Sequence, residues 1–221
     1  MSEEIKYNSK THINNESKLQ QLNIKCREEI DDELSKNAKN MVFGKGSSNS
    51  EIFFIGEAPG AKEDELGIPF VGRAGKELDK MLHHLSLNLE DCYIANVLKY
   101  RPPKNRDPKR EEITAHLPYL FEQISIIDPK VIVPLGNYAT KLVLSAFKVE
   151  DMKKIKGVSE LHATLHTISI HSKKFSVFPI FHPSAMMYNP KLREVFKEDF
   201  RLLATFLERE FREEEKQKTL V

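Results

Sequence analysis

The feature that most limits what this chain can fold into is a series of four short apolar runs separated by stretches of helical periodicity. Ile52-Phe53-Phe54-Ile55 is closed by Gly56, and Tyr93-Ile94-Ala95-Asn96-Val97 is the second run. Val131-Ile132-Val133-Pro134-Leu135 is closed by Gly136, and Val177-Phe178-Pro179-Ile180-Phe181 is the fourth. Runs of this length without polar alternation suit strands buried on both faces. Pro134 and Pro179 have no N–H to donate and sit awkwardly in central ladders. Between the runs, Leu78, Met81, Leu82 and Leu85 form one apolar stripe. Ile113, Leu117, Leu120, Phe121, Ile124 and Ile127 form another, with Pro118 expected to kink or divide it. Tyr138 to Phe147 gives a third helix, and Leu192, Val195, Phe196, Leu203, Phe206, Leu207 and Phe211 mark a long last one. The stretch 161–170 offers a further strand. This alternation predicts an α/β fold with a mainly parallel, four-stranded sheet covered on both faces by helices. Ligands of such sheets bind beyond the carboxyl ends of the strands, so the residues after each run are the functional candidates.

Composition narrows the class. A formal net charge of +1 means that any nucleic-acid contact must come from a local patch. No apolar run approaches the roughly 18 residues of a membrane span. The start, MSEEIKYNSK, has no apolar core and does not read as a secretory signal. Two cysteines, Cys26 and Cys92, fit a reducing compartment and no disulfide framework. The expectation is a cytoplasmic, nucleoid-associated monomer with no membrane partner. Residues 1–15 read as a disordered arm, 16–212 as the domain and 213–221 as a frayed tail.

The first run is followed by Gly56-Glu57-Ala58-Pro59-Gly60, whose glycines permit tight backbone and close approach of a ligand. It is neither a Walker loop nor GxGxxG. Phe70, in the Pro/Gly-rich loop 67–75, suits a stacking platform or a loop anchor. Asn96 is an amide inside an apolar strand, and it either bonds backbone or faces a pocket where it can read a base edge. Residues 99–110 carry six basic side chains and one acidic one, a phosphate-contacting surface or a solvated loop. After the fourth run, His182 can bond a polar or anionic ligand and Ser184 a phosphate. Met186 and Met187 are candidate wedges for a DNA stack, or core.

GEAPG (56–60), Asp64, PFVGRAG (69–75), Asn96, KYRPPKNRDP (99–108), LG (135–136) and HPS (182–184) occur in one order. Together they closely resemble the family-four uracil-DNA glycosylases, the iron–sulfur group of archaea and bacteria, over about residues 16–207. The resemblance implies a three-layer αβα sandwich and a monofunctional enzyme of base excision repair. Such an enzyme flips uracil from single- or double-stranded DNA and hydrolyses its N-glycosidic bond, leaving an abasic site. It implies catalytic roles for His182, Glu57 and Asn96, and a uracil site of Glu57, Ala58, Phe70, Asn96 and His182. Phe70 would stack on the base, Asn96 would read O4 and N3, and His182 would donate to O2. Gly60, Arg73, Lys99, Arg101, Arg106, Ser184, Met186 and Met187 would contact DNA. The best-known uracil glycosylases have an Asp where Ala58 stands, whereas family four usually has Ala or Gly. Glu57 is therefore the candidate for ordering water.

The metal positions depart from the family. Its four cluster cysteines correspond here to Cys26, Glu29, Tyr100 and His116. Iron–sulfur clusters require thiolates, so no 4Fe–4S cluster and no other metal is expected. A related self-crosslinking group uses a His in an inserted basic loop, and the loop here has neither. Two alternatives to a uracil glycosylase remain. One is a decayed DNA-binding or scaffold protein of the same fold. The other is a glycosylase with broader deaminated-base specificity, such as hypoxanthine or xanthine.

Overall fold

A computed structural model describes residues 3–84, 87, 91–170 and 172–219. Helices α1 (Glu3–Glu29) and α2 (Glu33–Asn37) lead into the short strand β1 (Lys45–Gly46) and the first apolar run, β2 (Ile52–Gly56). Helices α3 (Ala61–Leu66) and α4 (Arg73–His84) precede β3 (Cys92–Asn96). A 3-10 turn at Pro103–Asn105 lies before α5 (Arg110–Ile127), which is followed by β4 (Val131–Pro134) and α6 (Gly136–Leu144). A second 3-10 turn, Val149–Lys154, leads to α7 (Val158–Leu161), β5 (His166–Ile170) and β6 (Lys173–Val177). The chain ends in α8 (Ala185–Tyr188) and α9 (Leu192–Thr219).

The strands form one mixed sheet in the order β1-β3-β2-β4-β6-β5. Its four central members, β3, β2, β4 and β6, run parallel, and β1 and β5 add antiparallel edges. The expected four-stranded parallel unit is therefore the centre of a six-stranded sheet. β5 answers to the extra strand expected within 161–170, and β1 is two residues in a Gly/Ser loop with no pattern to reveal it.

The fourth run needs correction. β6 ends at Val177 and begins earlier, in polar residues. Pro134 has no N–H to give back to the Phe178 carbonyl, and Pro179 faces the other way, its carbonyl accepting from Ala163 N–H at 2.9 Å, so the following chain keeps few bonds to β4. These are Phe178 N–H to the Ile132 carbonyl at 3.0 Å and Ile180 N–H to the Pro134 carbonyl at 3.1 Å. Helix α5 continues through Pro118 as one element, although the Thr114 carbonyl has no N–H there to accept from. Residues 3–15, expected to be a disordered arm, form the first half of α1, a stretch without Gly or Pro. The expected tail is likewise helical as far as Thr219. Leu85 and the side chain of Phe211 lie outside the described residues.

Strand alternation divides the core. Phe53 and Ile55 face a layer built by Leu19, Leu22 and Cys26 of α1, Ile113 and Leu120 of α5, and Leu142 of α6. Ile52 and Phe54 face Leu78 and Leu82 of α4 and Phe196, Phe200 and Leu203 of α9. Fully burying each such side chain contributes about 1.5–3 kcal/mol. The packing fixes three layers and leaves the carboxyl ends of β2, β3 and β4 facing one cavity.

Candidate active site

The cavity, of about 570 Å³, is lined by Glu57, Ala58, Phe70, Asn96 and His182, together with Gly60, Arg106 and Ser184. Eight of the residues singled out in the sequence thus meet in one place, although they come from four separate loops and the end of β3. Two glycines make the meeting possible. A Cβ on Gly56 would lie 2.2 Å from Asn96 Oδ1 and 2.7 Å from the Phe70 ring. A Cβ on Gly136, where φ is +86°, would lie 2.7 Å from His182 Cβ. Both positions exclude any side chain because the site side chains occupy that volume.

Phe70 is held in the left-handed backbone region at φ +51°, a conformation that persists only when its surroundings impose it. Lys45 Nζ donates to the Phe70 carbonyl at 3.0 Å. The Glu63 carboxylate accepts from Val71 N–H at 3.1 Å and Gly72 N–H at 2.8 Å. Gly75 packs so close that a Cβ there would meet the Phe70 carbonyl oxygen at 2.0 Å. The ring, buried, sits 5.8 Å from the His182 ring, centroid to centroid.

His182 is neutral and in a defined tautomer. Its Nδ1 accepts from Ser184 N–H at 3.2 Å and lies 2.7 Å from Ser184 Oγ. The ring proton is thereby assigned to Nε2. Burial lowers its pKa to about 4, with Glu63 opposing the shift weakly. A neutral imidazole N–H donor with no partner among the described residues thus borders the cavity. Burial raises the Glu57 carboxyl to about 7, with a further push from the Asp107 charge. Asn96 is buried, and its amide makes no hydrogen bond among the described residues. The cavity therefore offers a ring face, an amide, an N–H donor and a carboxyl group poised near neutrality.

The expected DNA contacts divide. Arg106 reaches the cavity rim, but its guanidinium pairs with Glu112 and donates to the Asp107 carbonyl at 3.0 Å. Arg101 is half-buried and donates to Asn105 Oδ1 at 2.8 Å. Arg73 is exposed at the start of α4 and is not among the cavity-lining residues. Lys99 must be withdrawn as a DNA contact. It is 0 % exposed, and its ammonium bonds the Asn96 carbonyl at 2.9 Å and Gln123 Oε1 at 2.6 Å. Met186 must be withdrawn as a wedge, because it packs in the α4/α9 core, and Met187 is half-buried and off the cavity. The exposed apolar group of that segment is Tyr188, 82 % exposed at the cavity rim. Sequence reasoning passed over Tyr188, Glu63 and Tyr138, which also line the cavity. Tyr138, two residues beyond the Leu135-Gly136 motif, had a signal. Glu63 and Tyr188 had none, since their burial and exposure are tertiary facts.

At the four cluster positions the side chains mostly bond to neighbouring residues. Tyr119 Oη donates to Glu29 Oε2 at 2.9 Å. His116 Nδ1 accepts from Lys99 N–H at 2.9 Å, and its Nε2 lies 3.0 Å from Asp32 Oδ2. The Tyr100 ring packs edge-on to His116. Burial raises the Cys26 thiol to about 11, against thiolate formation. Among the described residues no group of three or more His, Cys, Asp or Glu side chains can hold a metal ion. This donor set does not fit an iron–sulfur cluster.

The mainly parallel sheet, covered on both faces, thus carries an aromatic, an amide and an imidazole at its strand ends. Residues 43–204 match the model of the uracil DNA glycosylase superfamily. Within that superfamily the chain belongs to the type-4 uracil-DNA glycosylases. It is 46 % identical over 169 residues to the type-4 uracil-DNA glycosylase of Saccharolobus solfataricus, covering 76 % of each chain. It is 43 % identical to that of Archaeoglobus fulgidus over 76 % of this chain and 83 % of the relative. It is 40 % identical to that of Thermotoga maritima over 80 % and 88 %.

Proposed function

We propose that the chain excises uracil from DNA by hydrolysing the N-glycosidic bond, with residues 16–212 as the catalytic domain. The observation that carries this reading is the convergence of Phe70, Asn96, His182 and Glu57 on one cavity. A flipped uracil stacks on Phe70. The Asn96 amide donates to O4 and accepts from N3–H, and cytosine, with an amine at position 4 and a bare N3, mismatches both. His182 Nε2–H donates to O2, where negative charge grows as the C1′–N1 bond breaks and its electron pair moves onto the base. Water attacks C1′ and gives its proton to Glu57, whose carboxyl is tuned to the operating pH. Departure of the base leads and water follows, since Ala58 brings no carboxylate of its own. Ser184 meets a phosphate beside the flipped nucleotide, and Gly60, Arg73, Arg101, Arg106 and Met187 border the path of the strand. Tyr188 is the residue best exposed to stack on a base next to the vacated position.

We propose further that the enzyme works without the family's cluster. Visible absorbance and stoichiometric iron after anaerobic purification would refute that. Incubation with a uracil-containing single-stranded oligonucleotide, followed by alkali, tests the main reading. Cleavage at uracil and none at cytosine is expected. Well-folded protein giving no product would favour a DNA-binding module, and equal cleavage at hypoxanthine would broaden the substrate.

A further inference from the structure

Lys99 is a buried cation that neither the DNA path nor the chemistry uses. It is 0 % exposed and forms no ion pair with a carboxylate among the described residues. Desolvating an ammonium without a carboxylate partner is costly, so its hydrogen bonds are what hold it there.

The sheet register explains what it does. β1 pairs with β3 antiparallel, Lys45 opposite Ile94 and Gly46 opposite Tyr93. Continued by two residues, that ladder would set Phe43 opposite Asn96, but β1 starts at Lys45. The strand edge beside Asn96 is closed by side chains. Lys99 Nζ donates to the Asn96 carbonyl at 2.9 Å and to Gln123 Oε1 at 2.6 Å. Gln123 Nε2 donates to the Phe43 carbonyl at 3.0 Å and lies 3.0 Å from Tyr93 Oη. Gln123 is itself 0 % exposed. On the other edge, β2 pairs Gly56 with Asn96, and Val97 N–H bonds the Gly56 carbonyl at 2.9 Å. Lys99 is anchored in turn, its N–H on His116 Nδ1 and its carbonyl accepting from Val42 N–H at 2.7 Å.

We propose that Lys99 and Gln123 are positioning residues for Asn96: together they replace the missing strand partner of its peptide and so fix the direction in which its amide enters the cavity. The charge strengthens the bond to the Asn96 carbonyl, since charge-assisted hydrogen bonds are roughly twice as strong as neutral ones. The amide itself makes no hydrogen bond among the described residues, and its Oδ1 rests against Gly56, so its direction is set through its backbone. Recognition by an amide is sensitive to such placement, as an error of about 1 Å at a reacting site costs roughly 100-fold in rate.

The inference rests on Asn96 reading the base, and a double-mutant cycle separates the two claims. Lys99→Met and Asn96→Ala are made singly and together, and single-turnover excision from a uracil oligonucleotide is measured with DNA affinity and melting temperature. Lys99→Met is expected to slow excision about 10- to 100-fold with DNA affinity changed less than threefold. In the Asn96→Ala background it should cost less than twofold, because its effect passes through Asn96. An equal loss in both backgrounds would make Lys99 a general stability element and overturn the inference while leaving Asn96 as reader. Full activity of Asn96→Ala would overturn both. If Lys99→Met does not fold, Gln123→Leu, which removes the second acceptor and keeps the cation, replaces it in the same cycle with the same expected non-additivity.

Discussion

His182 and His116 lie in two regions of the molecule and begin from the same chemistry. Both are held at a pKa of about 4 by burial. Both accept a backbone N–H at Nδ1, from Ser184 in one case and Lys99 in the other, so both carry their proton on Nε2. They differ in what that proton meets. His116 gives it to Asp32, which fixes the start of α2 to α5. His182 presents it to the cavity. A satisfied donor holds a structure together, whereas an unsatisfied one at the edge of a cavity is available to a ligand. The difference teaches how one physical device, a neutral imidazole shielded from water, serves cohesion near the N-terminus and leaves a free donor at the strand ends.

Exchanging each histidine for alanine tests the comparison most severely. His182→Ala should lower single-turnover excision of uracil by about 100- to 1,000-fold, the usual cost of losing one preorganised donor to developing negative charge. His116→Ala should lower it a few fold at most. Comparable losses from both would end the distinction. Gly56→Ala should come next, at roughly 100-fold, because the new methyl group displaces the Asn96 amide and the Phe70 ring together. The signature is a lost rate with DNA affinity retained.

Glu57 sharpens the chemical half of the comparison. Its carboxyl titrates at about 7, raised first by burial and then by Asp107. The ionised form accepts the proton of water, so the wild-type rate should rise with pH through about 7 and level above it. Glu57→Gln should be about 10-fold slower above pH 7 and lose that rise, a modest effect suited to a path in which departure of the base dominates. If Glu57→Gln keeps full activity while Asn96→Ala loses it, Glu57 has no part in ordering water.

The strand-end half of this picture was legible in the sequence. Gly56, Gly136, Phe70, Asn96 and His182 stand at the ends of apolar runs or in Pro/Gly-rich turns, and those positions converge in any parallel sheet. The basic loop was misread in part, because formal charge does not reveal direction. Lys99 turns inward beneath Asn96, and Arg106 is held by Glu112. Met186 proved to be core and Tyr188 the exposed group, because a four-residue helix determines which side chain meets the core and no periodicity can be read over four residues. At the N-terminal end, Glu29, Tyr100 and His116 could be recognised only as missing cysteines. Their partners, Asp32 and Tyr119, lie in other elements and left no mark in the local pattern.

The smallest effect expected is the most informative about that end of the molecule. His116 in the folded protein has its pKa lowered to about 4 from an ordinary 6.5, chiefly by burial, with Asp32 pulling the other way. The unfolded chain therefore binds a proton on this residue between those values and the folded chain does not. Stability is full above about pH 6.5 and is lost as pH falls toward 4, below which both states are protonated. His182 contributes in the same sense. His116→Ala removes one of the two contributions and leaves Lys99 N–H without its acceptor and Asp32 Oδ2 without its donor. It should lower stability at pH 7 by about 1–3 kcal/mol, the cost of an unsatisfied buried group. The melting temperature should also fall less steeply between pH 6.5 and 5 than in the wild type. Asp32→Asn keeps an acceptor for the Nε2 proton and removes the charge, so it should cost less than His116→Ala. If Asp32→Asn proves the more damaging, the contact between α2 and α5 is an ion pair with a protonated imidazole, and the likeness between the two histidines fails.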